Sequence, residues 1–323
     1  PGHSRNKIMT ALICGSIAYD NIMSFDESFK SHILPEQIHI LNVAFLVPKM
    51  RRDFGGCALN IAYNLKLLGE DPLPMGTAGK DFGSYETWLK ERGIRQDYIR
   101  VLEETFTAQA FIITDIDDNQ ITAFHPGAMS YSQRNKVSDA QEVTLGIISP
   151  DGRDGMIQHA EEFALAEIPF VFDPGQGLPM FDGSELRRFV EKANWVTVNH
   201  YEWELLKERT GWDVNDFKDN LQALIVTQGG EGSTIYTPEN DYQIPIVIPS
   251  AVCDPTGCGD AYRAGLLYGL LHDYDWMTTG CIASLMGAIK IESHGTQNHH
   301  FELEEFEQRF EASFGHALKG VEK

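Results

Sequence analysis

The chain has 323 residues and carries 26 Lys and Arg against 47 Asp and Glu, a formal net charge of −21. That balance excludes nucleic acid as an expected partner, because phosphate-backbone binding needs a basic surface, and it leaves any anionic substrate to be held by local donors. Apolar residues make up 42% and charged residues 23%, as in soluble globular proteins, and no apolar run approaches the roughly 20 residues that span a bilayer.

Residues 1–7 lack an apolar stretch and read as a tag remnant or a disordered terminus. Ala11–Ile17 has the pattern of a buried strand and ends in a polar turn, Ala18-Tyr19-Asp20-Asn21, where open α/β sheets place their ligands. Ile38–Val47, β-branched and aromatic, reads as a further strand. Gly55-Gly56 then opens a helix with Leu59, Ala62, Leu65 and Leu68 at helical spacing and Gly69 as its C-cap. Strand, helix and strand follow at Leu73–Ala78, Asp81–Arg92 and Asp97–Val101.

Ala108–Thr114 and Gln120–Phe124 flank Asp117-Asp118-Asn119, a hairpin signature. With Ile38–Val47 they predict a small antiparallel sheet outside the main one. From Gly146 the alternation of short strands (146–149, 169–172, 195–198, 224–227) and helices resumes. The expected fold is α/β: a mostly parallel sheet covered by helices on both faces, with a small β-sheet lid. One domain is expected over residues 8–317, with lid segments near 21–54 and 104–130. The five cysteines (Cys14, Cys57, Cys253, Cys258, Cys281) are odd in number and irregularly spaced, which suits neither a disulfide framework nor a zinc site and fits a cytoplasmic location.

The segment richest in chemistry is Asp254-Pro255-Thr256-Gly257-Cys258-Gly259-Asp260-Ala261-Tyr262, which precedes a helical pattern. Glycines on both sides of Cys258 let the N–H groups of Gly257, Cys258 and Gly259 turn into one cavity at the positive end of that helix, an anion site. Asp260 beside it either caps the helix or accepts a proton from a hydroxyl that attacks phosphorus. Cys258 needs only to be small there. Gly55-Gly56-Cys57-Ala58-Leu59-Asn60 is either a tight turn before a helix or a close approach to a ligand, with Asn60 offering donor and acceptor to a diol. Asp20 is its natural partner, or a turn initiator. Asn199-His200-Tyr201-Glu202 reads as a capping box, and Thr227-Gln228-Gly229-Gly230-Glu231-Gly232 as a glycine-rich loop or a plain hairpin.

Taken together, these strings resemble the two signatures of the ribokinase-like, phosphofructokinase-B sugar and nucleoside kinases, over nearly the whole chain from Ala11 to about Gln297. Cys258 and Tyr262 depart from the usual Ala and Phe without removing an N–H. Several stretches, among them Phe124–Ser130, Tyr201-Glu202-Trp203 and Glu292–Gln297, are similar to bacterial adenosine kinases. The resemblance implies transfer of the γ-phosphoryl of ATP to the 5′-hydroxyl of adenosine in purine salvage, with Mg²⁺ and a candidate monovalent cation, and a homodimer as an open expectation. It assigns Asp260 as general base and Gly257–Gly259 as the anion hole. Asp20, Gly55, Gly56 and Asn60 would hold the ribose. Ser16, Phe124, Met129 and Gln176 would meet the base, although Phe124 and Met129 also suit a lid core. Asn199, Thr227, Gly229 and Gly232 would face the nucleotide, and Asn199 and Glu202 would reach magnesium through water. A position that is usually aromatic aligns with Ala110, with Phe111 displaced by one. The alternatives are another acceptor (ribose, inosine or guanosine) and a non-catalytic nucleoside-binding regulator, which Asp260 argues against.

Overall fold

A computed structural model describes residues 10–33 and 35–318; the reading of residues 1–7 lies outside them. The strands are β1 (Ala11–Cys14), β2 (Ala18–Ser24), β3 (Lys49–Gly55), β4 (Leu73–Gly79), β5 (Tyr98–Leu102), β6 (Ala108–Thr114), β7 (Gln120–His125), β8 (Leu145–Ile148), β9 (Phe170–Phe172), β10 (Trp195–Asn199), β11 (Ala223–Thr227), β12 (Ser233–Tyr236) and β13 (Asp241–Ile244). The helices are α1 (Cys57–Leu67), α2 (Gly83–Glu91), α3 (Arg153–Leu165), α4 (Gly183–Lys192), α5 (His200–Thr210), α6 (Val214–Asn220), α7 (Cys258–Leu271), α8 (Trp276–Ile291) and α9 (Leu303–Phe314). None of the described helices is long and apolar enough to cross a membrane.

Nine strands form one sheet in the order β13-β12-β11-β10-β9-β8-β1-β4-β5. It is parallel except at β12 and β13, which pair antiparallel at one edge. Its strands are short apolar runs buried on both faces, because alternate residues feed two separate cores. Ala11, Ile13, Ile147 and Ile225 pack with α1, α2, α7, α8 and α9 on one side. Leu12, Cys14, Ile148 and Leu224 pack with α3–α6 on the other. The period of two sorts them, as it must in a strand covered twice.

A second sheet of four strands runs β3-β2-β6-β7. Three features differ from the sequence reading. Ala18–Asn21 is not a turn but the start of β2, which pairs with β3 on one side and β6 on the other. The sheet is mixed rather than antiparallel, since β2 and β6 run parallel. Residues 38–47 form no strand: a 3-10 turn, Pro35–Ile40, gives way to irregular backbone, and the strand lies at Lys49–Gly55 instead. That strand is charged because it is an edge, bonded to β2 alone and exposed over most of its length, and edge strands carry charge where central ones carry apolar side chains.

Candidate active site

The N-terminal ends of α1 and α7 meet at the carboxyl end of the large sheet. Gly56 caps α1 with φ +90°, a left-handed conformation that favours glycine. A Cβ there would also lie 2.5 Å from the Ser16 carbonyl. Ser16 in turn caps the helix: its Oγ accepts from the Cys57 N–H (3.0 Å) and its carbonyl from the Ala58 N–H (3.1 Å). Gly257 repeats the device for α7 at φ +83°. The turn before it closes through Thr256 N–H to Asp254 Oδ1 (2.9 Å) and Cys258 N–H to Pro255 O (3.1 Å). The Cys258 N–H is therefore already engaged. Those of Gly257 and Gly259 have no hydrogen-bond acceptor among the described residues, and they sit on the positive end of the helix.

Asp260, in the first turn of α7, accepts from Asn60 Nδ2 (2.8 Å). The direction of that bond is set from further away. Trp88 Nε1 can only donate, and it donates to Gln297 Oε1 (3.0 Å). Gln297 therefore presents its amino group to Asn60 Oδ1 (3.0 Å) and to the Tyr85 hydroxyl (2.7 Å). With its oxygen so occupied, Asn60 must turn its own amino group to Asp260. Gln297 and Asn60 are both buried, so the chain Trp88–Gln297–Asn60–Asp260 is fixed by packing as well as by hydrogen bonds. Burial pushes the Asp260 carboxyl up to about 6, against the stabilising bond from Asn60. Each end of the Asn60 amide makes one bond inside the protein, which leaves one N–H and one lone pair for the diol to which the sequence reading gave it.

One turn further along α7, buried Arg263 makes a bidentate pair with buried Asp173, just past β9, through Nε–Oδ2 (3.1 Å) and Nη2–Oδ1 (3.2 Å). Its charge also acts on Asp260 and Glu202, so one guanidinium lies among three carboxylates. Removing either partner of such a pair costs about 3–5 kcal/mol, because the other is left buried and unpaired. Sequence reasoning missed both residues, although an arginine three positions after Asp260 in an otherwise apolar helix was a visible signal.

Asn199 and Glu202 form the expected capping box on α5: Asn199 Oδ1 accepts from the Glu202 N–H (2.8 Å), and Glu202 Oε2 accepts from the Asn199 N–H (2.8 Å). Burial and the charge of Asp173 raise the Glu202 carboxyl above its usual range. Among the described residues no three His, Cys, Asp or Glu side chains converge to hold a metal. Thr227 pairs with Asn199 in register, and Gly229 and Gly232 lie in the hairpin that joins β11 to β12. That hairpin is tied to α7 where the Ser233 and Tyr262 hydroxyls meet (2.7 Å).

The small sheet lines the opposite side. Asp53, Asp20, Ala110 and Phe124 stand in register on β3, β2, β6 and β7, and so share one face. Asp20 Oδ2 lies 2.7 Å from the point where a Gly55 side chain would begin. Burial and the neighbouring charge of Asp53 push its carboxyl up to about 6. Phe111, one residue on, faces the other way, since a shift of one reverses the face; of the two, Ala110 stands beside Asp20. The Ser16 N–H donates to Pro150 O (3.0 Å) in the loop after β8. Met129 packs its backbone against Gly152 of that loop, and Gly175, beside exposed Gln176, packs on Pro150. In the same loop buried Asp151 accepts from the Gly152 N–H (2.8 Å), and its Oδ2 has no partner among the described residues. Burial pushes that carboxyl up to about 8.

The sequence pattern of the pfkB family of carbohydrate kinases matches residues 20–302. The chain belongs to that family. The kinase superposes on the nucleoside kinase of Burkholderia thailandensis solved in complex with inosine, with a TM-score of 0.87 at 52% sequence identity, covering 96% of this chain and 100% of that one. The same enzyme solved in complex with ADP-inosine gives a TM-score of 0.86 at 52% identity, covering 97% and 98%. The nucleoside kinase of Methanocaldococcus jannaschii is 32% identical over 258 residues, 79% of this chain and 85% of the relative. At 18% identity, the ribokinase of Thermotoga maritima (TM-score 0.75, covering 94% and 99%) shares the ribokinase-like fold of this kinase.

Proposed function

We propose that this pfkB-family kinase is a nucleoside kinase that moves the γ-phosphoryl of ATP to the 5′-hydroxyl of a purine nucleoside, adenosine among them. The observation that carries this reading is Asp260, held by the Trp88–Gln297–Asn60 chain at the start of α7 beside the Gly257–Gly259 turn. A carboxylate fixed next to free N–H groups at a helix terminus is suited to taking a proton from a hydroxyl while negative charge builds on phosphate oxygens. The hydroxyl oxygen bonds to the γ-phosphorus, its proton passes to Asp260, and the bond to the β-phosphate oxygen breaks, releasing ADP. The N–H groups of Gly257 and Gly259 hold the phosphoryl oxygens. Asp20, packed on Gly55, accepts from the ribose hydroxyls and so aims the 5′-hydroxyl. Asn60 positions Asp260. Mg²⁺, reached through water by Asn199 and Glu202, would supply the charge that offsets the β- and γ-phosphates.

The base meets Ala110 and Phe124 on the small sheet and Ser16, Met129 and Gln176 at the rim of the large one. Ala110 in place of an aromatic side chain widens that slot. Inosine is the second reading, favoured by its presence in the Burkholderia thailandensis relative. The test is an acceptor panel with ATP and Mg²⁺: adenosine, inosine, guanosine, ribose and fructose 6-phosphate. Adenosine and inosine are expected to exceed ribose in kcat/KM by at least about tenfold, the worth of a buried aromatic contact. Ribose or the sugar phosphate outrunning both nucleosides would remove the base pocket from the reading.

A further inference from the structure

Lys290 is completely buried, in the last turn of α8, inside the otherwise apolar run Gly280-Cys281-Ile282-Ala283-Ser284-Leu285-Met286-Gly287-Ala288-Ile289. Its ammonium donates to two main-chain carbonyls, Asp254 O (2.9 Å) and Ser293 O (3.0 Å). Burying a cation without a carboxylate in contact costs several kcal/mol. The carbonyls and the negative end of α8 offset part of that cost. Nothing in the packing of α8 requires an ammonium there, since the neighbouring positions are filled by Met and Ile.

What the ammonium holds is the anion turn. Asp254 is fixed at every polar atom: its N–H donates to Ile291 O (3.2 Å), its carbonyl accepts from Lys290, Oδ1 accepts from the Thr256 N–H (2.9 Å) and Oδ2 from the Gly295 N–H (2.9 Å). The other carbonyl belongs to Ser293, at the start of the segment that places Thr296 against Gly257. Lys290 thus ties together the two segments that frame Gly257–Gly259, and its positive charge lies close enough to act on the Cys258 thiol. Backbone carbonyls that converge on a cation are also how proteins hold alkali ions. Here the positions such an ion would take are filled by a cation covalently attached to the chain.

We propose that Lys290 is a built-in monovalent cation, a positioning residue that fixes the anion turn and adds positive charge behind it, so that this kinase needs no K⁺ or Na⁺. The proposal rests on the kinase reading for its activity readout, and on thermal unfolding for a readout independent of substrate. In Tris or choline buffers of constant ionic strength, replacing choline with K⁺ should leave the kcat and Tm of the unaltered protein unchanged. Lys290→Ala, which opens the space, should lose about 10²–10³ in kcat, the usual worth of an oxyanion donor, with a smaller change in KM. Addition of K⁺, but not choline, should restore at least tenfold of the loss and raise Tm. Lys290→Met, which fills the space with an apolar chain, should show the loss without the rescue. Stimulation of the unaltered protein by K⁺ of more than about twofold, beyond the reach of ordinary screening effects at fixed ionic strength, would overturn the proposal. So would equal responses of the Ala and Met variants to K⁺. If neither variant folds, the comparison of K⁺ with choline on the unaltered protein decides alone. If no nucleoside is phosphorylated, the function reading fails, and the K⁺ dependence of Tm still decides the role of Lys290.

Discussion

The two sheets are built from different materials. Strands β1, β4 and β8 are buried at every residue, and each divides its side chains between two apolar cores. Strand β7 is exposed at every residue and β3 at four of its seven positions, so the small sheet is anchored at one end, where Tyr19 and Phe54 pack on the core, and elsewhere by backbone pairing and a few polar ties. Those ties include Arg51 to Asp254 (3.7 Å) and the Thr296 hydroxyl to the Phe54 carbonyl (2.6 Å). The difference separates two jobs. The groups assigned to the reacting phosphoryl, Asp260 and the Gly257–Gly259 turn, stand on the stiff body, while most of those assigned to the acceptor stand on the soft one. Precision in proton transfer is sensitive to displacements of an ångström; recognition of a nucleoside tolerates adjustment and gains from closure.

Breaking the stiff side should have the largest effect. Asp260→Asn keeps shape and capping ability but cannot take a proton, so kcat should fall by about 10²–10⁴ while nucleoside binding, followed by calorimetry, stays nearly constant. Near-normal turnover in this variant would reduce Asp260 to a helix cap. Acid should strike both sides together. Asp260 and Asp20 both have carboxyls raised to about 6, and each works only when ionised, so activity is present above pH 6 and lost as pH falls through it. With Mg²⁺ and ATP saturating, log kcat/KM should drop with a slope approaching two by pH 5, a loss of up to about 10². A profile flat to pH 5 would contradict both assignments, and a slope of one would leave a single group in play. The smallest effect belongs to the soft side alone: Phe124→Ala should raise the KM for adenosine by about tenfold with little change in kcat, the signature of lost uniform binding. A fall in kcat of the same size would mean that the small sheet also sets the reacting geometry.

The same contrast decides what was legible in the sequence. The large sheet announced itself because double burial writes continuous apolar runs, and the Gly257–Gly259 turn because its entry needs a glycine at φ +83°. The small sheet was half legible. Its β6–β7 hairpin shows in the Asp-Asp-Asn turn and alternating β-formers, but β2 looked like a turn because Tyr19-Asp20-Asn21 is polar, and tertiary pairing on both sides overrides that local preference. Strand β3, Lys-Met-Arg-Arg-Asp-Phe-Gly, has no strand pattern because its partner is on one side only, whereas 38–47 has the composition without a partner. In the site, residues that carry a local motif can be named from the sequence, and those defined by a distant partner cannot: Asp173 with Arg263, Asp151, and Lys290. Arg263 and Lys290 share a signal that could have been used. Each is a lone cation in an apolar helix, and such a residue is buried for a purpose or not tolerated at all.

Strand β1 ends at Cys14 and β2 begins at Ala18, so the chain passes from one sheet to the other within three residues; β3 passes into α1 with Gly56 alone between them. Ser16 braces these two crossings to each other through Cys57 and Ala58. Mechanically this is a fulcrum. At about 3.3 Å per residue, Asp20 lies roughly 7 Å from Ala18 and the tip of β2 at Ser24 roughly 20 Å away. A swing of the small sheet about that point would carry its outer end some three times as far as Asp20 and its in-register neighbours Ala110 and Phe124. A lever pivoted so close to its working end would let the tip travel far while Asp20 moves only about a third of that distance.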